Sequence, residues 1–410
     1  MAQKSHRAES PARAPGLRVT AEGNNNLLRV RIRHVIAVIG ILSSPLLRAQ
    51  DLPPGPLPSP TQAPPGARYA GSAVCAKCHT SQASQLSTPM ARALEPAADC
   101  AILRAHPRLT FRAGAYSYEI TRHGNTTTYT VTDGHANLSE LILWAFGLGE
   151  AGQTYVFKHN GSYYESRVSF FNDTQRLDFT LGASRSVPTS LDEAAGRVMH
   201  AADEQACFGC HSTGGVSGSH LEVERMTPGV ICESCHGPGA EHVAAVRAGN
   251  PDPRRIFNPG KLRTGDLADF CGSCHRSWIQ VELMHLKSIQ NVRFQPYRLA
   301  LSKCFEQDDL RISCLACHDP HQNVKRVPAS YDAKCLACHP SSAGRAPSAG
   351  PRHDASGASL QAKQVVAPAC PIAKRSCVTC HMPKYSLPGA HFKFTDHRIR
   401  VVQPKEPYPG

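Results

Sequence analysis

Aromatic residues are scarce in this 410-residue chain, at 6%, and the hydrophobic share of 41% is ordinary. Side chains alone therefore promise a modest core for a length that allows two or three domains. Past residue 50 no segment is apolar enough to cross a membrane, so the later chain is expected to be soluble or peripheral. Acidic residues are outnumbered, 32 against 45 Lys and Arg, and the formal charge of +13 invites a nucleic-acid reading. Eight of the basic and two of the acidic residues lie in residues 1–50, leaving 37 and 30, or +7, for the rest. A nucleic-acid partner is not expected.

Cysteine is abundant instead. Of 17 Cys, 14 fall in seven copies of CxxCH: Cys75/Cys78/His79, Cys207/Cys210/His211, Cys232/Cys235/His236, Cys271/Cys274/His275, Cys314/Cys317/His318, Cys335/Cys338/His339 and Cys377/Cys380/His381. Two thiols on one short turn can add to the two vinyl groups of a haem while the adjacent imidazole reaches the iron, so each motif fixes attachment and the proximal ligand together. Zinc is the competing use of paired CxxC, but zinc does not demand a His directly after the second Cys, and all seven copies have one. The expected cofactors are seven covalently attached haems c. Their fourteen propionates would meet the Lys and Arg, offset by one net positive charge per ferric centre. Cys100, Cys304 and Cys370 remain; an exported chain allows one disulfide among them and leaves one thiol over.

Distal ligands come from anywhere in a fold. His321, in CHDPH, is too close to His318 to reach the opposite face of the same haem and should serve a neighbour. His242, in CHGPGAEH, and His391 and His397, in PGAHFKFTDHRIR downstream of motif seven, are the other favoured distal ligands. His106 is a candidate because Pro107 restricts its backbone. His200, His220, His285 and Met90 are weaker candidates, and His123, His135 and His159 read as surface or turn residues.

The first fifty residues carry Arg29, Arg31 and Arg33, an apolar run at 35–47 broken by Gly40 and Pro45, and then LRAQD, the pattern of a secretory signal. The expected organisation is a signal peptide at 1–50, a Pro-rich linker at 51–69, a first haem segment at 70–99 and a β-rich insert at 100–199. A haem core with motifs two to six at 200–340, a flexible linker at 341–368 and a C-terminal haem segment at 369–410 follow. In the insert, AYSYEI and TYTV alternate, and TYVFKHNGSYYESRVSFF has Asn160-Gly161 as a hairpin turn. The fold class expected is a multihaem cytochrome c, mostly short helices and loops around a haem array, with β structure confined to about residues 108–182.

CESCHGPG with His242, QPYRLALSKC leading into ISCLACHDPH, and CVTCHMPK leading into FTDHRI resemble the multihaem c-type cytochromes, specifically the group similar to tetrahaem cytochromes that accept electrons from hydroxylamine oxidation. The likeness spans residues 70–110 and 200–400. It implies a compact haem chain, mostly with two imidazoles per iron, moving electrons in the periplasm or at the cell surface. Redox proteins or quinol-linked donors are the expected partners, with association with membrane redox complexes as a further possibility. Seven motifs exceed four, so the tetrahaem ligand scheme does not transfer. Two other functions stand beside electron carriage: an oxidoreductase acting on a small nitrogen or sulfur compound at one open haem, and a subunit of a cytochrome filament or conduit. Multihaem enzymes with Lys in place of the proximal His are known, and no such motif occurs here, which lowers the enzyme reading.

Overall fold

The computed structural model describes residues 59–250, 255–286, 288–309, 311–339, 352–353, 359–360, 370–403 and 406–409. The expected signal peptide, residues 51–58 of the Pro-rich linker and nearly all of the 341–368 linker lie outside them. Among the described residues no helix is long and apolar enough to cross a membrane.

Helix α1 (Ser72–Cys78) carries the first motif, and the chain then enters a sheet. Strand β1 (Leu94–Pro96) and helix α2 (Ala101–Ala105) lead to β2 (Arg108–Ala113), β3 (Tyr116–His123), β4 (Thr126–Thr132), β5 (Asn137–Phe146), β6 (Gln153–His159), β7 (Ser162–Phe171) and β8 (Arg176–Phe179). After α3 (Leu191–Ala195), β9 (Gly196–Val198) closes the set. β2 to β8 pair in sequence order, all antiparallel, while β1 adds to β5 and β9 to β7.

Alternation makes these strands. Side chains two apart share a face, so Tyr116, Tyr118 and Ile120 on β3 and Tyr129 and Val131 on β4 all turn inward and are buried. The β6–β7 hairpin turns on Asn160 and Gly161, with φ of 49° and 82°, the left-handed pair that a two-residue turn requires. Register shifts between Ile142 and Trp144 on β5, and between Thr154 and Val156 beside β7, curl the sheet.

The expectation of a molecule made mostly of short helices and loops around a haem array is overturned. Its largest body is this antiparallel sheet, nearly closed into a barrel over about residues 94–179. The physical reason is local concentration: Tyr118, Tyr129, Tyr155, Phe157, Phe170 and their neighbours form one buried cluster inside the curl, although aromatics are sparse over the whole chain. Cys100 belongs to that cluster; it is a free thiol donating to Gln153 Oε1 at 3.2 Å, and Cys304 and Cys370 are likewise free.

The motifs beyond the sheet sit on short helices or at their ends: α4 (Ala201–His211), α5 (Cys232–His236), α7 (Thr264–His275), α10 (Cys314–Cys317), α11 (Asp332–Leu336) and α12 (Cys377–His381). Between them lie α6 (Ala240–Arg247), α8 (Trp278–Leu283) and α9 (Gln295–Ala300). A two-strand ladder, Lys384–Ser386 on Lys393–Thr395, turns the C-terminal segment back. Its anchor is buried: Asp396 Oδ1 and Oδ2 accept from Arg298 Nε and Nη2 of α9 at 2.8 and 2.9 Å. Arg400 Nη1 and the Arg398 N–H also donate to Asp396, at 2.7 and 3.0 Å.

Candidate functional site

In most of the motifs the helix ends on the histidine or just before it, so the imidazole leaves the helix and the neighbouring chain decides where it points. The Nδ1–H of His211 donates to the Ala93 carbonyl beside β1 (2.9 Å), that of His236 to Phe257 (2.8 Å) and that of His381 to Arg400 (2.8 Å). A carbonyl can only accept, so each bond fixes the tautomer and leaves Nε2 with its lone pair free for a metal.

Three motif histidines face a second imidazole. Ring centroids lie 6.4 Å apart for His79 and His242, 6.2 Å for His236 and His321, and 6.3 Å for His318 and His397, with interplanar angles of 31°, 15° and 43°. With metal–nitrogen bonds of about 2 Å and about 1.15 Å from ring nitrogen to centroid, two imidazoles sharing one metal hold their centroids about 6.3 Å apart. The spacing is that of a bridged pair and too wide for direct hydrogen bonding between the rings. His397 Nδ1–H donates to the Thr395 carbonyl (3.0 Å), orienting it as the motif histidines are oriented, while the buried Nδ1 of His242 has no hydrogen-bond partner. Each pair offers two imidazole nitrogens at the spacing of a shared metal, a donor set that fits a haem iron.

Motif six differs from this pattern. Helix α11 stops at Leu336, so Cys335 lies on the helix while Cys338 and His339 lie in the turn beyond it. The N–H groups of Cys338 and His339 both donate to the Cys335 carbonyl, at 3.1 and 2.9 Å, which keeps the two thiols on one turn and carries the histidine round after them. Cys338 is a half-buried free thiol. His339 is exposed, and among the described residues it faces no second imidazole and bonds no carbonyl through its ring. Cys338 and His339 are thus placed by the turn that follows α11 and not by the helix itself.

Residues 174–237 match the family of cytochrome c554 and c-prime. The matched stretch contains motifs two and three, and it begins just before β8, so it takes in the last two strands of the sheet. It supports a c-type cytochrome, with covalently bound haem and electron transport. No curated protein and no solved structure matches the chain.

Electrostatics keep the buried motif imidazoles neutral. Burial pushes the pKa of His211, His236, His275 and His318 down, against an opposing hydrogen bond to Ala93, Phe257 or Gln295 in the first three. Burial takes His397 down to about 4, with His318 adding in the same direction. A neutral imidazole is the ligating form. Burial also raises the thiols of Cys235 to about 11 and Cys207 to about 12.

The motif helices meet in pairs, α1 on α5, α4 on α7, α7 on α10 and α11 on α12. Cysteines of different motifs lie side by side in the same pairs: Cys75 with Cys232, Cys210 with Cys274, Cys271 with Cys314 and Cys335 with Cys377. Carboxylates stitch these contacts. Asp332, ahead of motif six, accepts from the Ser376 and Cys377 N–H groups at the start of motif seven (2.7 and 2.9 Å), and those bonds hold it below the usual carboxylate range.

The remaining candidates are placed elsewhere. His391 Nε2 lies 2.8 Å from Asp178 Oδ2 on β8, and its ring rests edge-on against Phe171. His106 packs its ring on Phe170 at 4.8 Å. His200 caps α4, His220 pairs with Ser217 in a two-residue ladder, and His285 occupies a left-handed turn with φ 50°. Met90 uses its carbonyl to accept from Val230 and Ala93. His159 bonds Glu140 through Nδ1, and His123 and His135 are exposed. Sequence reading passed over Glu233, Asp332, Arg298 and Asp396. For the first two the one signal available was an acidic residue inside or just ahead of a motif, in CESCH and YDAKC.

Proposed function

We propose that this chain is a heptahaem c-type cytochrome that carries electrons in the periplasm or at the cell surface, exchanging them with redox proteins or quinol-linked donors. The observation that carries the reading is the set of three imidazole pairs at the spacing of a shared iron, each containing one CxxCH histidine. Haem c, when bound, supplies one-electron Fe(III)/Fe(II) chemistry. The chain's part is to tether it through the fourteen motif sulfurs, to hold neutral imidazoles at the iron, and to keep water off the buried ones. Two strong imidazole donors favour low potential and leave an iron no free position, which suits conduction. The pairing of motif helices supports a route from one cofactor to the next.

A voltammetric titration of the purified holoprotein tests this reading. Low, spread potentials are expected; predominantly high potentials contradict bis-imidazole ligation. A second reading, an oxidoreductase acting on a small nitrogen or sulfur compound, is favoured by one observation. Among the described residues three of the seven motif histidines face a second imidazole, and the exposed His339 is one of those that do not. Carbon monoxide or nitrite added to the reduced protein discriminates: a spectral change at a substantial fraction of the haems supports the enzyme, and none supports the carrier.

A further inference from the structure

Glu233 occupies the second position of the third motif, CESCH, and is 4% exposed. Its carboxylate turns inward onto backbone. Oε1 accepts from the N–H groups of Ala70 (2.7 Å) and Gly239 (2.8 Å), and Oε2 accepts from Gly71 (2.8 Å). Ala70 and Gly71 immediately precede α1, which delivers His79; Gly239 immediately precedes α6, which carries His242. One side chain on a third element therefore fixes where both helices of the His79/His242 pair begin. The junction is close-packed: a Cβ on Gly239 would stand 3.1 Å from Glu233 Oε1. Around it the Arg68 carbonyl accepts from Ala240 N–H (3.2 Å), and Arg68 pairs with Glu241 at the surface.

We infer that Glu233 is a positioning residue for the first motif's imidazole pair, the shared anchor that holds His79 and His242 face to face. The inference rests on the reading that this pair shares one haem iron. Charge-assisted bonds to three amides are stronger than neutral ones, and without the carboxylate three donors in a buried junction lose their acceptor. The helix starts are then free to part, and His242, which unlike His79 is not tethered beside the Cys75 and Cys78 attachment points, is the one to leave. Motif three itself keeps its sulfurs and His236, whose orientation depends on Phe257.

The test uses the full-length holoprotein as wild type, Glu233→Leu, Glu233→Gln and His242→Gly, with haem content measured first and the high-spin fraction then counted by electron paramagnetic resonance. Relative to wild type, His242→Gly is expected to convert one haem in seven to high spin, Glu233→Leu to do the same with all seven haems still attached, and Glu233→Gln to fall between. Added imidazole should return Glu233→Leu to the wild-type spectrum, which a misfolded protein would not do. If His242→Gly gains a high-spin haem and Glu233→Leu does not, the positioning role is wrong while the ligand assignment stands. If His242→Gly leaves the spectrum unchanged, the assignment itself is wrong. Should Glu233→Leu fail to accumulate, Glu233→Gln decides: a spectrum identical to wild type overturns the inference, and a partial high-spin signal upholds it.

Discussion

At the scale of single residues, the chemistry depends on which nitrogen of each histidine the backbone takes. Carbonyls of Ala93, Phe257, Thr395 and Arg400 bind Nδ1–H and leave Nε2 for the metal, a division of labour seen across metal-ligating histidines. His397→Gly should therefore leave its haem attached through Cys314 and Cys317 but convert one low-spin haem to high spin, reversed by added imidazole; an unchanged spectrum counts against the pair with His318. The same burial gives a pH dependence to the chain before haem attachment. His397 falls from the ordinary 6.5 to about 4, so the unfolded chain binds a proton between those values that the folded chain does not. Stability is therefore full above pH 6.5 and declines as pH falls from 6.5 to 4, by up to about 3 kcal/mol from this group. Urea denaturation of the haem-free chain across that range should show the slope, and His397→Gly should flatten it.

Elements meet through buried carboxylates. Arg298 and Asp396 are 1% and 0% exposed at their side chains and join α9 to the strand that precedes His397. Removing one partner of such a pair leaves an uncompensated buried charge and costs about 3–5 kcal/mol. Arg298→Met should lower the urea midpoint accordingly, and Asp396→Leu in the same chain should restore part of the loss; two additive losses would show that the pair is not coupled. How much of this is legible in sequence follows from range. Strands are visible in the alternation of Tyr116, Tyr118 and Ile120 and in the Asn160-Gly161 turn, because both signals are local. That they curl into the largest body of the molecule is not visible, since β1 on β5, β9 on β7 and the bulge after Ile142 depend on distant pairings. The seven motifs and the nomination of His242, His321 and His397 rest on spacing. Which motif histidine each one faces does not, because α1 and α6 are brought together by Glu233 from elsewhere in the chain. Spacing is equally blind to what surrounds a motif: Cys335, Cys338 and His339 read like the other six copies, yet the helix ends inside this one and leaves His339 exposed. His391 carries the same local signal as His397, but the structure gives it to Asp178, more than two hundred residues away.

For the whole molecule, two kinds of interior stand side by side. The barrel is filled by its own side chains, including Tyr129, Phe157 and Phe170, all fully buried, so its core needs no cofactor. The motif helices from α4 onward are short and bring smaller apolar clusters, such as Phe257, Leu262, Leu267 and Phe270 packed on Cys235, Cys271 and Cys314. A chain produced in a host that cannot attach haem should keep the barrel's β-sheet circular dichroism; loss of the sheet signal would mean that the barrel depends on the cofactors. Above all, a heptahaem carrier requires haem at every motif, including the sixth with its exposed His339. Intact mass spectrometry of the mature protein, with peptide mapping of Cys75 to Cys380, measures this directly. Seven haems carried as thioethers on fourteen motif sulfurs is the predicted result, and free thiols at those positions would contradict it.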